Sequence, residues 1–244
     1  MSLQNFYQIE DGFTKISAEQ ASMFAKEVAE DFNPLHDVGA KRFCVPGDLL
    51  FAIVLEKYGL SQNMHFIFSG MVGDGTPLRF PDTEAETFSI TDQAGKEYLR
   101  VERSGDVMRD EATVERLMHE YVGFSGQNFP YIFVPMLTKE LVMFNLDRPL
   151  VIYESMTLNM RHLNFKEPRV ELLEPRLEIN GGKRATAYLH FQFSAGGEVV
   201  GAGFKQVAIG GLRDYEPAPL QAFVDDYLAR KHQYLANLAR AATA

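Results

Sequence analysis

The chain has 244 residues, of which 46% are hydrophobic and 23% are charged, a composition typical of folded globular proteins. Its 33 acidic residues outnumber the 24 lysines and arginines, and a net charge of −9 argues against non-specific binding to nucleic acid. The single cysteine, Cys44, excludes an internal disulfide, and no apolar run reaches the ~18–20 residues of a membrane span. Because the acidic N-terminus lacks the apolar segment of a secretory signal, we expect a soluble cytoplasmic protein.

The first predicted elements are two helices joined by a turn-rich loop. Ser17 and Gln20 have the spacing of a capping box, and apolar residues follow at helical intervals. Asn33-Pro34 ends this helix, because the residue before a proline is displaced from the α region. After the loop, the almost wholly apolar run at 48–58 predicts a second helix that is buried on all sides.

An antiparallel sheet is predicted next, because the hydrophobic pattern changes to a period of two. Four strands, separated by glycine, aspartate and proline turns, are predicted at 65–68, 77–80, 87–90 and 98–101. The second half repeats this order with helices at 112–121 and 132–144, separated by a loop at 123–130. Further strands are predicted at 155–163, 169–173, 185–193 and 199–209, with a hairpin turn at 180–182 and a last amphipathic helix at 220–238.

The repeat is visible in the residues as well as in the element order. The sequence at 43–46, Phe-Cys-Val-Pro, precedes the first buried helix and matches Ile-Phe-Val-Pro at 132–135, 89 residues later. The hairpin lysines Lys96 and Lys183 lie 87 residues apart. Two nearly equal offsets favour an internal duplication, with one unit at 1–111 and the other at 112–244.

This element order favours an α+β protein. A long apolar helix that precedes an antiparallel sheet needs cover on most sides, which a twisted and curved sheet supplies. Two such units can join their edge strands into one continuous sheet, which removes two exposed edges. We therefore predict a double hot-dog, in which central helices near 48–58 and 132–145 are wrapped by curved antiparallel sheets. The two halves would form a pseudo-dimer within one chain, and further association into a homodimer is left open.

One loop carries a more specific signal. The sequence Asp-Phe-Asn-Pro-Leu-His at 31–36 follows the first helix, and Ala40, Phe43, Pro46 and Gly47 follow it in order. Together, residues 13–55 resemble the hydratase signature of the MaoC-like hot-dog family, which includes an Asp-x-Asn-Pro-x-His sequence. Two features differ from the family. The segment before the central helix is shortened to 37–45, and Pro46-Gly47 replaces histidine-glycine.

The resemblance implies a hydratase or dehydratase that acts on an acyl thioester of coenzyme A or of an acyl carrier protein, without a cofactor or a metal. Asp31 and His36 would activate water, since a carboxyl and an imidazole can exchange the protons that this reaction moves. Amides at the start of the buried helix would polarise the thioester carbonyl. The implied substrate-binding residues are Asn33, Pro46, Gly47 and Asp48.

The second half supplies an internal comparison. Its corresponding loop has Gln127 where the aspartate would stand and no following histidine, so we expect this copy to be inert. The active copy is therefore expected in the N-terminal half, whereas the eukaryotic double hot-dog hydratases carry it in the C-terminal half.

Two alternatives stay open. A hot-dog thioesterase would direct water to the carbonyl carbon, and a non-catalytic acyl-thioester-binding or regulatory protein would hold the ligand without turnover. The segment at 37–45 decides between catalysis and binding, because it determines whether His36 faces Asp31. The six histidines lack metal-ligand spacing, and Cys44 between two apolar residues is predicted to be a small core residue.

Overall fold

The structure, a computed structural model, describes residues 3–241. The helices are α1 (Ala18–Glu27), α2 (Gly47–Tyr58), α3 (Glu111–Gly126), α4 (Asn128–Tyr131), α5 (Phe133–Lys139) and α6 (Pro217–Ala241), with short 3₁₀ turns at Leu3–Phe6 and Pro34–His36. The strands of the first half are β1 (Gln8–Glu10), β2 (Phe13–Lys15), β3 (Leu60–Phe68), β4 (Leu78–Arg79), β5 (Thr87–Asp92) and β6 (Glu97–Met108). Those of the second half are β7 (Val142–Met143), β8 (Leu150–Met160), β9 (Arg169–Leu172), β10 (Arg176–Gly181), β11 (Arg184–Ala195), β12 (Glu198–Gly210) and β13 (Arg213–Asp214).

One antiparallel sheet of eleven strands runs through both halves, in the order β1-β2-β4-β5-β6-β3-β8-β12-β11-β10, with β9 also paired to β11. The halves meet where β3 pairs with β8, from Asn63 opposite Asn159 to Ile67 opposite Ser155. Counted outwards from this seam, β3-β6-β5-β4 in the first half corresponds to β8-β12-β11-β10 in the second. The continuous sheet and the matching strand order agree with the expected pairing of two halves within one chain.

The first helix forms and ends as its sequence predicts. Ser17 Oγ accepts the N–H of Gln20, and Gln20 Oε1 accepts the N–H of Ser17, which completes the capping box. After α1, Glu30 adopts a positive φ of 52°, and the N–H of Asp31 donates to the Ala25 carbonyl oxygen at 2.7 Å. This reversal directs the chain after α1 back towards the start of α2.

Helix α2 is buried along nearly its whole length, as predicted for the run at 48–58. It ends at Gly59, which has a φ of +77°. A Cβ atom on Gly59 would lie 2.6 Å from the Met108 carbonyl oxygen, so no larger residue fits between α2 and β6. This helix, buried against a long antiparallel sheet, together with the strand order of the two halves, confirms the predicted α+β double hot-dog class. The division into units at 1–111 and 112–244 stays a prediction.

The second predicted central helix is wrong. Only Phe133–Lys139 of the run at 132–145 is helical, because Leu141 adopts a positive φ of 54° and the chain continues as β7. The long helix beside α2 is α3, which extends to Gly126 through the predicted loop. Its buried residues continue at helical spacing through Tyr121 and Ser125, and its glycines were interpreted as loop residues. The ring of Tyr121 packs on Phe51 of α2 at 4.9 Å between centroids.

The C-terminal helix α6 is mostly exposed and buries only a few side chains, among them Leu220, Tyr227 and Lys231. It lies against the end of α1, where Tyr234 donates a hydrogen bond to Glu27 at 2.8 Å, and against the loop that follows, where Tyr227 contacts Phe32. Within residues 3–241, none of the helices has both the length and the apolar character that crossing a membrane requires.

Candidate active site

A cavity of about 130 Å³ lies between the loop after α1, the start of α2, the end of α3 and strands β8 and β12. The structure brings all the predicted site residues together in its lining: Asp31, Asn33, His36, Pro46, Gly47 and Asp48. Most of the remaining lining is apolar, and helix α6 contributes Phe223 and Tyr227. The cavity thus combines polar groups from the first half with walls from both halves.

The loop after α1 fixes Asp31 and His36 through two local turns. Asp31 Oδ1 accepts the N–H of Asn33 at 2.9 Å, and Asn33 Oδ1 accepts the N–H of Leu35 at 3.1 Å. The second bond caps the 3₁₀ turn that carries His36. Asn33 therefore orients the loop through its backbone N–H and its side-chain oxygen, in addition to lining the cavity.

The ring of His36 is oriented by the shortened segment at 37–45. Its Nδ1 atom lies 2.7 Å from the Cys44 carbonyl oxygen, which can only accept, so Nδ1 carries the proton in the neutral ring. The opposite nitrogen, Nε2, lies 3.7 Å from Asp31 Oδ2, and the side chain of His36 is only 13% exposed. The short segment therefore keeps His36 facing Asp31.

The Asp31 carboxyl holds its proton more tightly than an ordinary aspartate. Burial raises its pKa above the usual 3.8, an effect that the His36 charge and the Asn33 N–H oppose only in part. The raised pKa favours the protonated form of Asp31, and Nε2 of His36 has a lone pair when the ring is neutral, so this arrangement can donate and accept a proton.

Helix α6 holds this loop from the outside. The Tyr227 hydroxyl accepts the buried N–H of Phe32 at 3.0 Å, directly after Asp31. Lys231 forms an ion pair with Glu30 at 2.9 Å. The C-terminal helix thus contacts both neighbours of Asp31, through the Phe32 backbone and the Glu30 side chain.

The start of α2 presents backbone donors to the cavity. Within residues 3–241, the N–H groups of Gly47 and Asp48 have no acceptor, since they belong to the first turn of the helix and Pro46 provides no side-chain cap. A Cβ atom on Gly47 would lie 3.2 Å from the Phe68 ring and 3.4 Å from the Tyr153 ring. Glycine at this position lets the helix start lie close to these two rings.

The sequence did not reveal a polar network that joins the start of α2 to the second half. The Asp48 carboxylate accepts from the Ser125 hydroxyl at 2.6 Å and from the Tyr153 hydroxyl at 2.8 Å. Lys205 of β12 donates to Ser125 Oγ at 2.7 Å, and the hydroxyls of Tyr121 and Tyr153 are 2.7 Å apart. The side chain of Asp48 therefore contacts other cavity residues, while its N–H stays available.

Burial also shifts the pKa values of this network. It lowers the pKa of Lys205 to about 8, although the charges of Asp48 and Asp31 act in the opposite direction. Burial raises the pKa values of Tyr121 and Tyr153 well above 10, so both hydroxyls stay neutral at physiological pH.

Of the residues in this network, the sequence contained a signal for Lys205. The inward positions of β12 alternate, and Lys205 occupies one of them between Gly203 and Val207. A lysine at an inward position of an otherwise small and apolar face is unusual, whereas Ser125 and Tyr153 carry no comparable signal.

The end of α3 approaches the loop after α1 very closely. A Cβ atom on Gly126 would lie 1.7 Å from the Ala29 carbonyl oxygen, so only glycine allows this contact. The approach brings Ser125 against Asp48 and leaves Gln127 exposed. No group of three or more His, Cys, Asp or Glu side chains within residues 3–241 is arranged to hold a metal ion.

A family model and several solved structures are similar to this chain. A family model described as "Protein of unknown function (DUF3581)" matches residues 1–218, and no curated protein matches the chain. Among solved structures, it is similar to the acyl-CoA thioesterase II TesB2 from Mycobacterium marinum, with 12% identity and a TM-score of 0.41 over 88% of this chain and 99% of that chain. A conserved protein of unknown function with a hot-dog fold from Alicyclobacillus acidocaldarius has 10% identity and a TM-score of 0.43 over 86% and 98%. At these TM-scores, the similarities carry no argument about substrate or activity.

Proposed function

Because the chain belongs to the DUF3581 family, whose description assigns no activity, we propose from the cavity itself that it is an acyl-thioester hydratase or dehydratase. The observation that carries the proposal is the pair formed by Asp31 and His36, one with a raised pKa and the other with a free Nε2 lone pair. At 3.7 Å, the two groups are too far apart for a direct hydrogen bond. Each can instead contact the same water oxygen at an ordinary hydrogen-bond distance of about 2.8 Å.

The proposed hydration starts from a protonated Asp31 and a neutral His36. The Nε2 atom of His36 takes a proton from the water, whose oxygen bonds to the β-carbon of a 2-enoyl thioester. Asp31 gives its proton to the α-carbon, so the carbon–carbon double bond becomes a single bond and a 3-hydroxyacyl thioester results. The same steps in reverse eliminate water. The proton gained by His36 returns to Asp31 before the next turnover.

Negative charge develops on the thioester oxygen during this reaction. The free N–H groups of Gly47 and Asp48 supply donors for that oxygen, and the positive end of the α2 dipole adds to their effect. These residues would therefore bind the carbonyl, and the side chain of Asn33 would keep the catalytic loop in place.

The size of the cavity limits the acyl group. Its volume of about 130 Å³ is close to the ~150 Å³ of an engineered protein cavity that holds benzene, a molecule of six carbons. A crotonyl group, with four carbons and one carbonyl oxygen, fits this space. We therefore propose a short acyl thioester as the substrate, carried by coenzyme A or by an acyl carrier protein.

The direct experiment offers crotonyl-CoA to the protein and separates the products. Formation of 3-hydroxybutyryl-CoA, without release of free thiol, is the expected result. Binding of crotonyl-CoA with no product would contradict the catalytic proposal and favour a binding or regulatory role.

A thioesterase is the second candidate. It is favoured by the same free N–H groups of Gly47 and Asp48, because these donors would also activate the carbonyl carbon towards water. The similar structure from Mycobacterium marinum is described as an acyl-CoA thioesterase, and that description applies to that protein. Release of free coenzyme A from a saturated probe such as butyryl-CoA, which cannot be hydrated, would identify this activity.

A further inference from the structure

Lys205 is a buried cation without a direct counter-ion. Its side chain belongs to a residue only 2% exposed, and within residues 3–241 no carboxylate oxygen lies within the 4.0 Å of an ion pair from Nζ. Its one hydrogen bond goes to Ser125 Oγ at 2.7 Å, and the Tyr153 ring centroid lies 3.6 Å from Nζ. An ammonium group has three N–H donors, so one remains after these two contacts. Burying a charge in this state is costly unless a ligand completes its contacts.

The other deeply buried cation of the sheet behaves differently. Arg103 of β6, which is 7% exposed, donates to the backbone carbonyl oxygens of Ala85 and Thr83, both at 3.0 Å. These donors satisfy backbone carbonyl oxygens, so Arg103 has a structural role. Lys205 contacts no backbone carbonyl within the described residues and instead lines the cavity.

A second polar atom in the same cavity lacks a partner. Asn128 is 3% exposed, and no hydrogen-bond partner for its Oδ1 atom exists among residues 3–241. It lines the cavity together with Lys205 and Asp31. Buried polar atoms are nearly always hydrogen-bonded. The cavity therefore offers a polar ligand one acceptor, Asn128 Oδ1, and one donor, the remaining N–H of Lys205.

We propose that the free N–H of Lys205 donates to the carbonyl oxygen of the bound acyl thioester, which makes Lys205 a catalytic residue of the proposed function. The contact stabilises the negative charge that develops on this oxygen when the β-carbon is hydrated or the carbonyl carbon is attacked. No bond to Lys205 forms or breaks, and its proton stays on Nζ. Ser125 and Tyr153 act as positioning residues, because they hold Nζ through a hydrogen bond and a ring face.

The carbonyl stretching frequency of a bound probe, recorded before any free coenzyme A is released, tests this contact without hydration. The probe is butyryl-CoA labelled with ¹³C at the carbonyl, since it has no double bond to hydrate, and its binding is first confirmed by calorimetry. A shift of the band to lower wavenumber is expected in wild type. In Lys205→Met, which keeps an unbranched apolar stem without the charge, the shift should be smaller, because only the N–H groups of Gly47 and Asp48 remain as donors. Lys57→Met is the matched control, because Lys57 also lies over aromatic rings, those of Tyr7 and Phe80, but outside the cavity.

The pH dependence of the same band in wild type gives a second test that needs no variant. Lys205 faces the carboxyl groups of Asp48 and Asp31 and the hydroxyls of Tyr121 and Tyr153, and the tyrosine pKa values lie well above 10. Because the pKa of Lys205 is lowered to about 8, the shift should be present at pH 7 and decline as the pH rises through about 8. If crotonyl-CoA is turned over, Lys205→Met should reduce kcat by about 10²–10³-fold.

The outcomes separate this proposal from the function on which it rests. No binding of butyryl-CoA would overturn the proposed function and the role of Lys205 together. Binding with an unshifted carbonyl band, or a shift in Lys205→Met and at pH 10 that is as large as that of wild type at pH 7, would overturn only the role of Lys205. A shift that becomes smaller in both tests supports it.

Discussion

Nε2 of His36 lies 3.7 Å from Oδ2 of Asp31, and the hydrogen bond of the opposite ring nitrogen to the Cys44 carbonyl oxygen keeps it there. Four residues and a proline turn separate the two side chains in the chain. The turn depends on the caps made by Asp31 and Asn33, so sequence, loop conformation and proton chemistry are coupled at this point.

Replacement of His36 tests the proposed role of its ring as the base that takes a proton from water. His36→Ala removes the Nε2 lone pair, so we expect hydration of crotonyl-CoA to fall by about 10²–10⁴-fold. Binding should weaken less, because the apolar walls and the free amides of Gly47 and Asp48 remain. Steady-state kinetics together with calorimetry of butyryl-CoA separate the two effects. An equal loss of kcat and binding would argue for a structural role of the ring.

The raised pKa of Asp31 predicts a cost in stability at neutral pH. In the folded state the carboxyl binds its proton more tightly than in the unfolded chain, so its stabilising effect is full below about pH 3.8 and declines as the pH rises through the folded pKa. Asp31→Asn, which stays neutral and can keep the bond to the Asn33 N–H, should therefore be more stable than wild type at pH 7.5. Urea unfolding at pH 7.5 and pH 4 measures the difference, which should shrink at the lower pH. A less stable variant at pH 7.5 would contradict the raised pKa.

Two glycines of α3 provide a matched pair. Gly126→Ala places a Cβ atom 1.7 Å from the Ala29 carbonyl oxygen, a backbone clash that should destabilise the fold by at least about 1–3 kcal/mol and displace Ser125 from Asp48. In Gly123→Ala the new Cβ meets nothing within 4 Å, so the higher helix propensity of alanine should stabilise by up to about 1 kcal/mol. Thermal unfolding of both variants is the measurement. Equal effects would contradict the close approach of α3 to the loop.

Removal of the Tyr227 hydroxyl tests the contact between α6 and the loop that carries Asp31 and His36. Tyr227→Phe leaves the buried N–H of Phe32 without its acceptor, which should cost about 1–3 kcal/mol of stability. The adjacent Asp31 should also lose its fixed orientation, so kcat should fall. Denaturant unfolding and crotonyl-CoA kinetics provide the two readouts. Unchanged values in both would show that α6 only covers the cavity.

The sequence predicted the elements that depend on local signals, and it did not predict the contacts between distant segments of the chain. The capping box at Ser17 and the apolar run of α2 are local signals, and both predicted helices form. Helix α3 was cut short, because Gly123 and Gly126 indicated a loop, whereas a tertiary contact with Ala29 explains one of them. The run at 132–145 had the composition of a buried helix, but its helix ends at Lys139 and Val142–Met143 pair as a short strand instead.

The candidate site shows the same division. The sequence could predict that Asp31 and His36 lie close together, because both belong to one six-residue motif. The partners of Asp48 could not be predicted, because Ser125 and Tyr153 lie 77 and 105 residues further along the chain. The close approach of α3 to the loop after α1 places Ser125 beside Asp48, and the sheet that continues across the two halves places Tyr153 there.

The most direct test of the proposed function compares crotonyl-CoA hydration by wild type, Asp31→Asn and Gln127→Glu. Asp31→Asn keeps the shape of the side chain and loses the proton, so we expect hydration to be nearly abolished while circular dichroism stays unchanged. Gln127→Glu adds a carboxylate at the exposed corresponding position, where no histidine follows, and should leave the rate unchanged. Wild-type hydration with loss in Asp31→Asn alone is the predicted result. Full activity in Asp31→Asn would contradict this active site.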